Sequence, residues 1–218
     1  MIVRQFMVTG NVGGNIGDMV LEPAISYREQ LKRLLRFKSL VRGKITLSSG
    51  AQSDYYLDCK LTTLDPFGAF LTGHSILDLL QEHRITAAAL GGLSMGADPI
   101  VSAVAVVSHL KGTPIHGFLV RKEPKGHGRR KLIEGFEGKP NDKVVIIDEV
   151  CTTGGSILEA IDAAEAQGFE IVAVVSLVDR EEGGSEKLRA TKYPYYSVFT
   201  AKELLQDESK VDRDNKAS

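Results

Sequence analysis

The chain has 218 residues, 43% of them apolar and 25% charged, with a formal net charge of −1. That is long enough for one α/β domain with a substantial core, and the balanced charge excludes a general nucleic-acid or membrane-surface binder, which carries a basic excess. The only two cysteines, Cys59 and Cys151, sit in no CxxC or Cys/His cluster, which argues against a disulfide framework or structural zinc; with no span-length apolar run and no basic-then-apolar leader, a reducing cytoplasmic compartment is expected.

Residues 1–22 are rich in Gly and Asn without a sustained period and read as a loose extension. Residues 22–37 place Ile25, Leu31, Leu34 and Leu35 among basic residues, the pattern of an amphipathic helix with Pro23 near its start. Residues 44–60 alternate apolar and polar around a Gly-containing turn, as a hairpin does. A helix follows over 65–83, with Asp65 as N-cap and Pro66 at its first position.

From there the rhythm is strand–helix–strand. Apolar strands are expected over 86–92, 114–120, 143–149, 170–180 and 195–199, with helices over 96–112 and 154–168 and a weaker one after 180. Nearly all-apolar strands alternating with helices predict an open, mostly parallel sheet covered on both faces by helices, an α/β fold. Residues 207–218 are a polar tail.

Ligands of such sheets gather at the carboxyl ends of the strands, and four unusual loops fall there: 91–99 (GGLSMGADP), 121–135 (RKEPKGHGRRKLIEG), 148–156 (DEVCTTGGS) and 179–184 (DREEGG). In the third, five apolar or near-apolar residues run straight into Asp148 and Glu149. Glycines 154 and 155 let backbone N–H groups turn inward at a helix start, which makes a phosphate cradle out of Thr153, Gly154, Gly155 and Ser156. The acids cannot bind phosphate but can accept hydrogen bonds from vicinal hydroxyls. Together they describe a binder of a 5′-phosphorylated ribose; the GK[ST] ending of a P-loop is absent. The 121–135 segment carries Arg121, Lys122, Lys125, Arg129, Arg130, Lys131 and His127 and reads either as a basic lid over a pyrophosphate leaving group or as a solvated charge run. Loop 91–99 is a weaker signal of the same kind. Arg180 suits bidentate pairing with a carboxylate and equally an ion pair with Glu181 or Glu182. His74, His83, His109 and His116 read as surface or internally satisfied residues, and Met95 as a loop residue.

These segments together resemble the orotate phosphoribosyltransferase branch of the type I phosphoribosyltransferases. VVIIDEVCTTGGS resembles the family's motif for 5-phosphoribosyl 1-diphosphate (PRPP). RKEPKGHGRRKLIEG resembles its catalytic loop, and LSSGAQSDYYLD and SLVDREEGG resemble its two orotate-side segments. The matches run in the family's order over roughly residues 45–184.

The resemblance implies the type I phosphoribosyltransferase fold, with one domain over 23–206 whose residues 23–64 form a small helix/hairpin hood. It implies transfer of the phosphoribosyl group of PRPP to orotate with Mg²⁺, giving orotidine 5′-monophosphate and pyrophosphate. Alternatives are transfer to another base and a regulatory protein that binds PRPP without catalysis. Carried over by position, Lys125 and His127 are catalytic. PRPP is held by Arg121, Lys122, Lys125 and His127 with Asp148, Glu149, Val150, Cys151, Thr152, Thr153, Gly154, Gly155 and Ser156. Orotate is held by Thr152, Arg180, Tyr56 and Leu57. No protein metal ligand is implied, because Mg²⁺ rides on the diphosphate. A homodimer is implied, with the 121–135 loop reaching the neighbouring subunit. Purine-specific relatives place an aspartate where Thr152 stands, which favours a pyrimidine here. Ser48 and Met95 stand where many members carry lysine.

Overall fold

The computed structural model describes residues 25–46, 52–123 and 132–206. The readings of 1–22, of Pro23 and of the 207–218 tail lie outside them, as do Ser48, Lys125 and His127.

The first helix, α1 (Tyr27–Lys38), starts where the Ser26 hydroxyl accepts the Glu29 N–H at 3.1 Å. That cap, satisfying an otherwise orphan amide, sets the helix start, and Ile25 is left exposed before it. Leu31 and Leu35 lie on the buried face, each contributing about 1.5–3 kcal/mol by leaving water. The hairpin follows as β1 (Leu40–Thr46) and β2 (Gln52–Leu57), antiparallel, with Leu40 opposite Leu57. Its first strand starts earlier than the alternation suggests, one residue after α1. A short helix, α2 (Lys60–Thr63), then leads to α3 (Pro66–Glu82), which Asp65 caps by accepting from the N–H groups of Phe67 and Gly68. Four residues hold no helical period, so α2 is invisible in the sequence.

The main body consists of β3 (Ala89–Leu93), α4 (Asp98–Leu110), β4 (His116–Val120), β5 (Ile133–Glu134), β6 (Lys143–Cys151), α5 (Gly155–Ala166), β7 (Glu170–Asp179), α6 (Gly184–Arg189), β8 (Tyr195–Thr200) and α7 (Ala201–Leu205). The six strands lie in the order β5-β4-β3-β6-β7-β8. All neighbours are parallel except β5, a two-residue antiparallel edge on β4. The mostly parallel sheet expected from the sequence is therefore present; β5 and α7 are too short to have announced themselves.

Period-two alternation survives inside the all-apolar strands. Val145 and Ile147 of β6 and Ala173, Val175 and Leu177 of β7 pack with Leu31, Leu71 and Ile100 in one core. Val144 and Ile146 of β6 and Val174 of β7 pack with Ile157, Ala160 and Ile161 of α5 in the other. The winding direction reverses between β3 and β6, and at such a reversal the loops leaving the two strands diverge and open a crevice.

Candidate active site

β6 does not stop at the acids. It runs to Cys151, because Asp148, Val150 and Cys151 stay in register with Ser176, Val178 and Asp179 of β7. Simple alternation does not hold through the acids: Val145 and Ile147 face the hood-side core, yet Val150 packs there too and Cys151 packs on the α5 side. Glu149 reaches toward the hood. There Lys60 Nζ donates to its Oε2 at 2.6 Å and Thr63 Oγ1 to its Oε1 at 3.3 Å. Asp148 lies against the loop after β3, where a Cβ on Gly96 would stand 2.5 Å from its Oδ1. Only glycine fits at 96 while this carboxylate keeps its place.

Both acids are buried, and burial disfavours the charged form. It pushes the Asp148 carboxyl up to about 6; the Glu149 backbone N–H opposes this and the Glu149 charge adds to it. Glu149 also titrates above the usual carboxylate range, because burial outweighs the opposing hydrogen bond and charge of Lys60. At Lys60 the net direction is favourable: burial, the largest single influence, pulls its pKa down, but the bond to Glu149 and the charges of Glu149, Asp58 and Cys59 together outweigh it and the ammonium is held more firmly protonated.

The turn after β6 leads directly into a helix start, as the string of threonines and glycines predicts. Gly154 has φ +81°, a left-handed backbone that favours glycine, and it precedes α5 with no side chain capping the helix. Thr153, Gly155 and Ser156 are exposed there, so the helix start offers its amides and hydroxyls to an anion. Val150 is half-buried, and Cys151 points into the α5-side core; of the latter only the backbone can serve a ligand at this turn.

Across the crevice, Ser94 Oγ donates to Asp98 Oδ2 at 2.8 Å, and Met95 is exposed, as a loop residue should be. A cleft of about 690 Å³ opens here, lined by Lys60, Ser94, Met95, Gly96, Arg121, Lys122 and Glu123. Arg121 is turned toward the Glu123 carbonyl and Glu134, with Lys122 exposed beside it.

A second cleft, of about 400 Å³, lies beside Tyr55, Arg180 and Glu181. The Arg180 side chain is only 10% exposed and sits 4.9 Å over the Tyr55 ring. Its Nε donates to the Tyr55 hydroxyl at 3.2 Å, and one terminal nitrogen pairs with Glu182 at 2.7 Å. Of the two partners considered for Arg180, Glu182 holds it in this structure. The Arg180 N–H donates to the Cys151 carbonyl at 2.9 Å and the Gly184 N–H to the Thr152 carbonyl at 3.0 Å, so loop 179–184 is stitched to the phosphate turn, with Thr152 half-buried between them.

On the hairpin, Tyr56 is exposed and Leu57 is buried in the core, while Tyr55 is the ring that meets Arg180. Strand alternation from buried Leu57 puts Tyr55 and Ser53 on the inward face and Tyr56 on the other, a signal the sequence carried. Lys60 and Thr63 were also missed, and nothing local could have shown them. His74 is not a plain surface residue either: its ring stacks on Tyr27 at 4.1 Å and burial lowers its pKa.

Comparison with known proteins follows the same lines. Residues 100–208 match the family model for a phosphoribosyl transferase domain. The chain is 44% identical to the orotate phosphoribosyltransferase of Aquifex aeolicus over 181 residues, covering 82% of this chain and 97% of that one. A crystal structure of Mycobacterium tuberculosis orotate phosphoribosyltransferase superposes with a TM-score of 0.73 at 37% identity, over 83% of this chain and 99% of that one. The same mycobacterial enzyme in complex with PRPP gives 0.67 at 34% identity, over 82% and 98%.

Proposed function

This chain belongs to the orotate phosphoribosyltransferases, and from that premise we propose how its residues divide the work. The sheet is the type I phosphoribosyltransferase fold. The enzyme transfers the 5-phosphoribosyl group of PRPP to orotate, yielding orotidine 5′-monophosphate and pyrophosphate in pyrimidine biosynthesis. The bond from the anomeric carbon to the diphosphate breaks, its electron pair leaving with pyrophosphate. A ring nitrogen of orotate forms the new bond and gives up its proton to the departing pyrophosphate or to water. The transition state is oxocarbenium-like, so the protein must hold the ribose, neutralise the departing charge and exclude water.

The turn at 153–156 takes the 5-phosphate on the amides and hydroxyls at the start of α5. Asp148 and Glu149 accept from the ribose hydroxyls near the end of β6. Arg121 and Lys122 flank the diphosphate cleft, and Lys125 and His127 of the same loop complete its charge. Arg180 pairs with the orotate carboxylate in place of Glu182, and Thr152 lies beside the base. On the hairpin we assign Tyr55 to the base side instead of the Tyr56 and Leu57 side chains. The observation that carries the reading is the nearly buried Arg180, oriented by Tyr55 and tied through its backbone to the phosphate turn.

Oxygen donors such as the Ser94 hydroxyl line the diphosphate cleft, where Mg²⁺ would arrive on the substrate's own oxygens. When bound, the ion supplies positive charge to the diphosphate.

A homodimer is supported by an exposed ridge of rings. Phe67, Phe70, Tyr27 and His74 touch in succession, with Leu61, Leu64, Val106 and Leu110 also exposed on α2, α3 and α4 or beside them. A contiguous apolar surface of this kind is what a partner subunit covers, and sedimentation should return twice the chain mass. A cytoplasmic setting agrees with the two free, buried cysteines; among the described residues no helix is long and apolar enough to cross a membrane.

The direct test is to mix the protein with PRPP, Mg²⁺ and orotate and follow loss of orotate absorbance, beside uracil, hypoxanthine and adenine. Turnover with orotate alone is expected. Turnover with another base, or with none, would overturn the assignment.

A further inference from the structure

Glu149 is the acid that β6 presents toward the hood, yet both its oxygens are already engaged there. Lys60 Nζ stands 2.6 Å from Oε2 and Thr63 Oγ1 3.3 Å from Oε1. Both donors come from α2, the four-residue helix that joins the hairpin to α3. α2 is held rigidly from outside the site. Its Thr62 hydroxyl bonds Ser39 at 2.7 Å, the Asp58 carboxylate accepts the Lys60 backbone N–H at 3.1 Å, and the Thr62 carbonyl packs where a side chain on Gly68 would stand. The ammonium is not shut away: the Lys60 side chain is 40% exposed and lines the same cleft as Ser94, Met95, Gly96, Arg121 and Lys122. The loop at 94–97 contributes no cation of its own to that cleft.

We propose that Lys60 is a positioning residue of the PRPP site, acting through Glu149: it holds that carboxylate ionised and pointed so that a ribose hydroxyl can donate to it. A carboxylate this buried tends to take up a proton, and a protonated one orients its lone pairs differently and gives a weaker acceptor. A fixed cation bonded to it opposes both tendencies. Thr63 supplies the second anchor, so the carboxylate cannot rotate freely. The hood thereby serves the ribose as well as the base. This inference rests on the transferase reading above.

The groups that face Glu149 are Lys60 and Thr63 of α2, Asp58 and Cys59 just before it, and Asp148 on its own strand. A cation this close lowers a carboxyl by about one to three pH units. Removing it should move the acid limb of PRPP binding upward by about one unit and raise the PRPP Kd about tenfold on that limb. The experiment measures PRPP binding by calorimetry from pH 5.5 to 8.5 for the full chain and for Lys60→Met, Lys60→Arg, Glu149→Gln and Lys60→Met/Glu149→Gln.

The expected result is an upward shift of the limb in Lys60→Met, its return in Lys60→Arg, and no further shift when Lys60→Met is added to Glu149→Gln. The KM for orotate at saturating PRPP should stay within about twofold, because the base side is untouched. Equal PRPP Kd and pH limb in the parent and Lys60→Met would overturn the proposal, as would a shift that persists without Glu149. Failure of the unaltered protein to bind PRPP would instead overturn the transferase reading.

Discussion

The two ends of the crevice are made in different ways. The ribose-phosphate end is continuous chain: β6, its two acids, the glycine turn and the start of α5 lie within residues 143–166 and grow directly out of the central strand. The base end is assembled from afar. Tyr55 comes from the hairpin and Arg180 from the end of β7, 125 residues later. The first end is fixed mainly by the sheet, with the hood touching it at Glu149 through Lys60 and Thr63; the second depends wholly on how the hood sits. Geometry at the phosphate end should therefore resist substitution, while affinity at the base end should be tunable in both directions.

The largest expected effect lies at the base end. Arg180→Ala should lower kcat/KM for orotate by about 30-fold to several thousand-fold, since cutting one partner of a desolvated charged pair costs about 2–5 kcal/mol. The calorimetric Kd for PRPP should barely change. Equal losses for both substrates would show that Arg180 holds the loop together, and the division between the two ends would collapse.

Asp148→Asn probes the built-in end with two opposed signs. The folded-state pKa is raised from 3.8 to about 6, so the folded protein binds this proton more tightly than the unfolded chain. Stability is then greatest below about pH 4 and falls as pH rises through about 6, by up to about 3 kcal/mol. The asparagine variant lacks that fall, so it should melt higher than its parent at pH 7.5 and nearly level with it at pH 4. PRPP binding should weaken about tenfold or more at pH 7.5, because a ribose hydroxyl loses a charged acceptor. Inorganic phosphate should still bind the turn. A parent and variant with identical pH–stability curves would mean that Asp148 is solvated.

The smallest effect is a gain. Glu182 occupies the arginine face proposed for the orotate carboxylate, and its side chain is 41% exposed. Such a pair is worth only about 0.2–1 kcal/mol, so Glu182→Gln should lower the KM for orotate by about two- to fivefold. A raised KM would show that Glu182 orients Arg180 and does not compete for it.

The same contrast explains what the sequence disclosed. An apolar run ending in two acids, two threonines and two glycines is local information, and the turn, the left-handed Gly154 and the start of α5 stand where that string places them. The hood is relational. Tyr55 and Tyr56 are adjacent and chemically identical; only the buried Leu57 two residues after Tyr55 settles which ring turns inward. Lys60 sits on too short a helix to show a period, and its partner Glu149 is 89 residues away. That β6 continues past Asp148 and Glu149 to Cys151 was not legible, because the acids read more readily as the end of the strand.

The backbone bonds from Arg180 to Cys151 and from Gly184 to Thr152 bear on timing. A phosphate settling at 153–156 steadies the strand end from which the Arg180 loop hangs, so part of the ordering entropy is spent before orotate arrives. The base then meets an arginine already held in place. Reversed, orotate must still that loop alone. An order of arrival, ribose donor before acceptor, is thus favoured by two main-chain hydrogen bonds, and slower amide exchange at Arg180 and Gly184 in the presence of inorganic phosphate would be its trace.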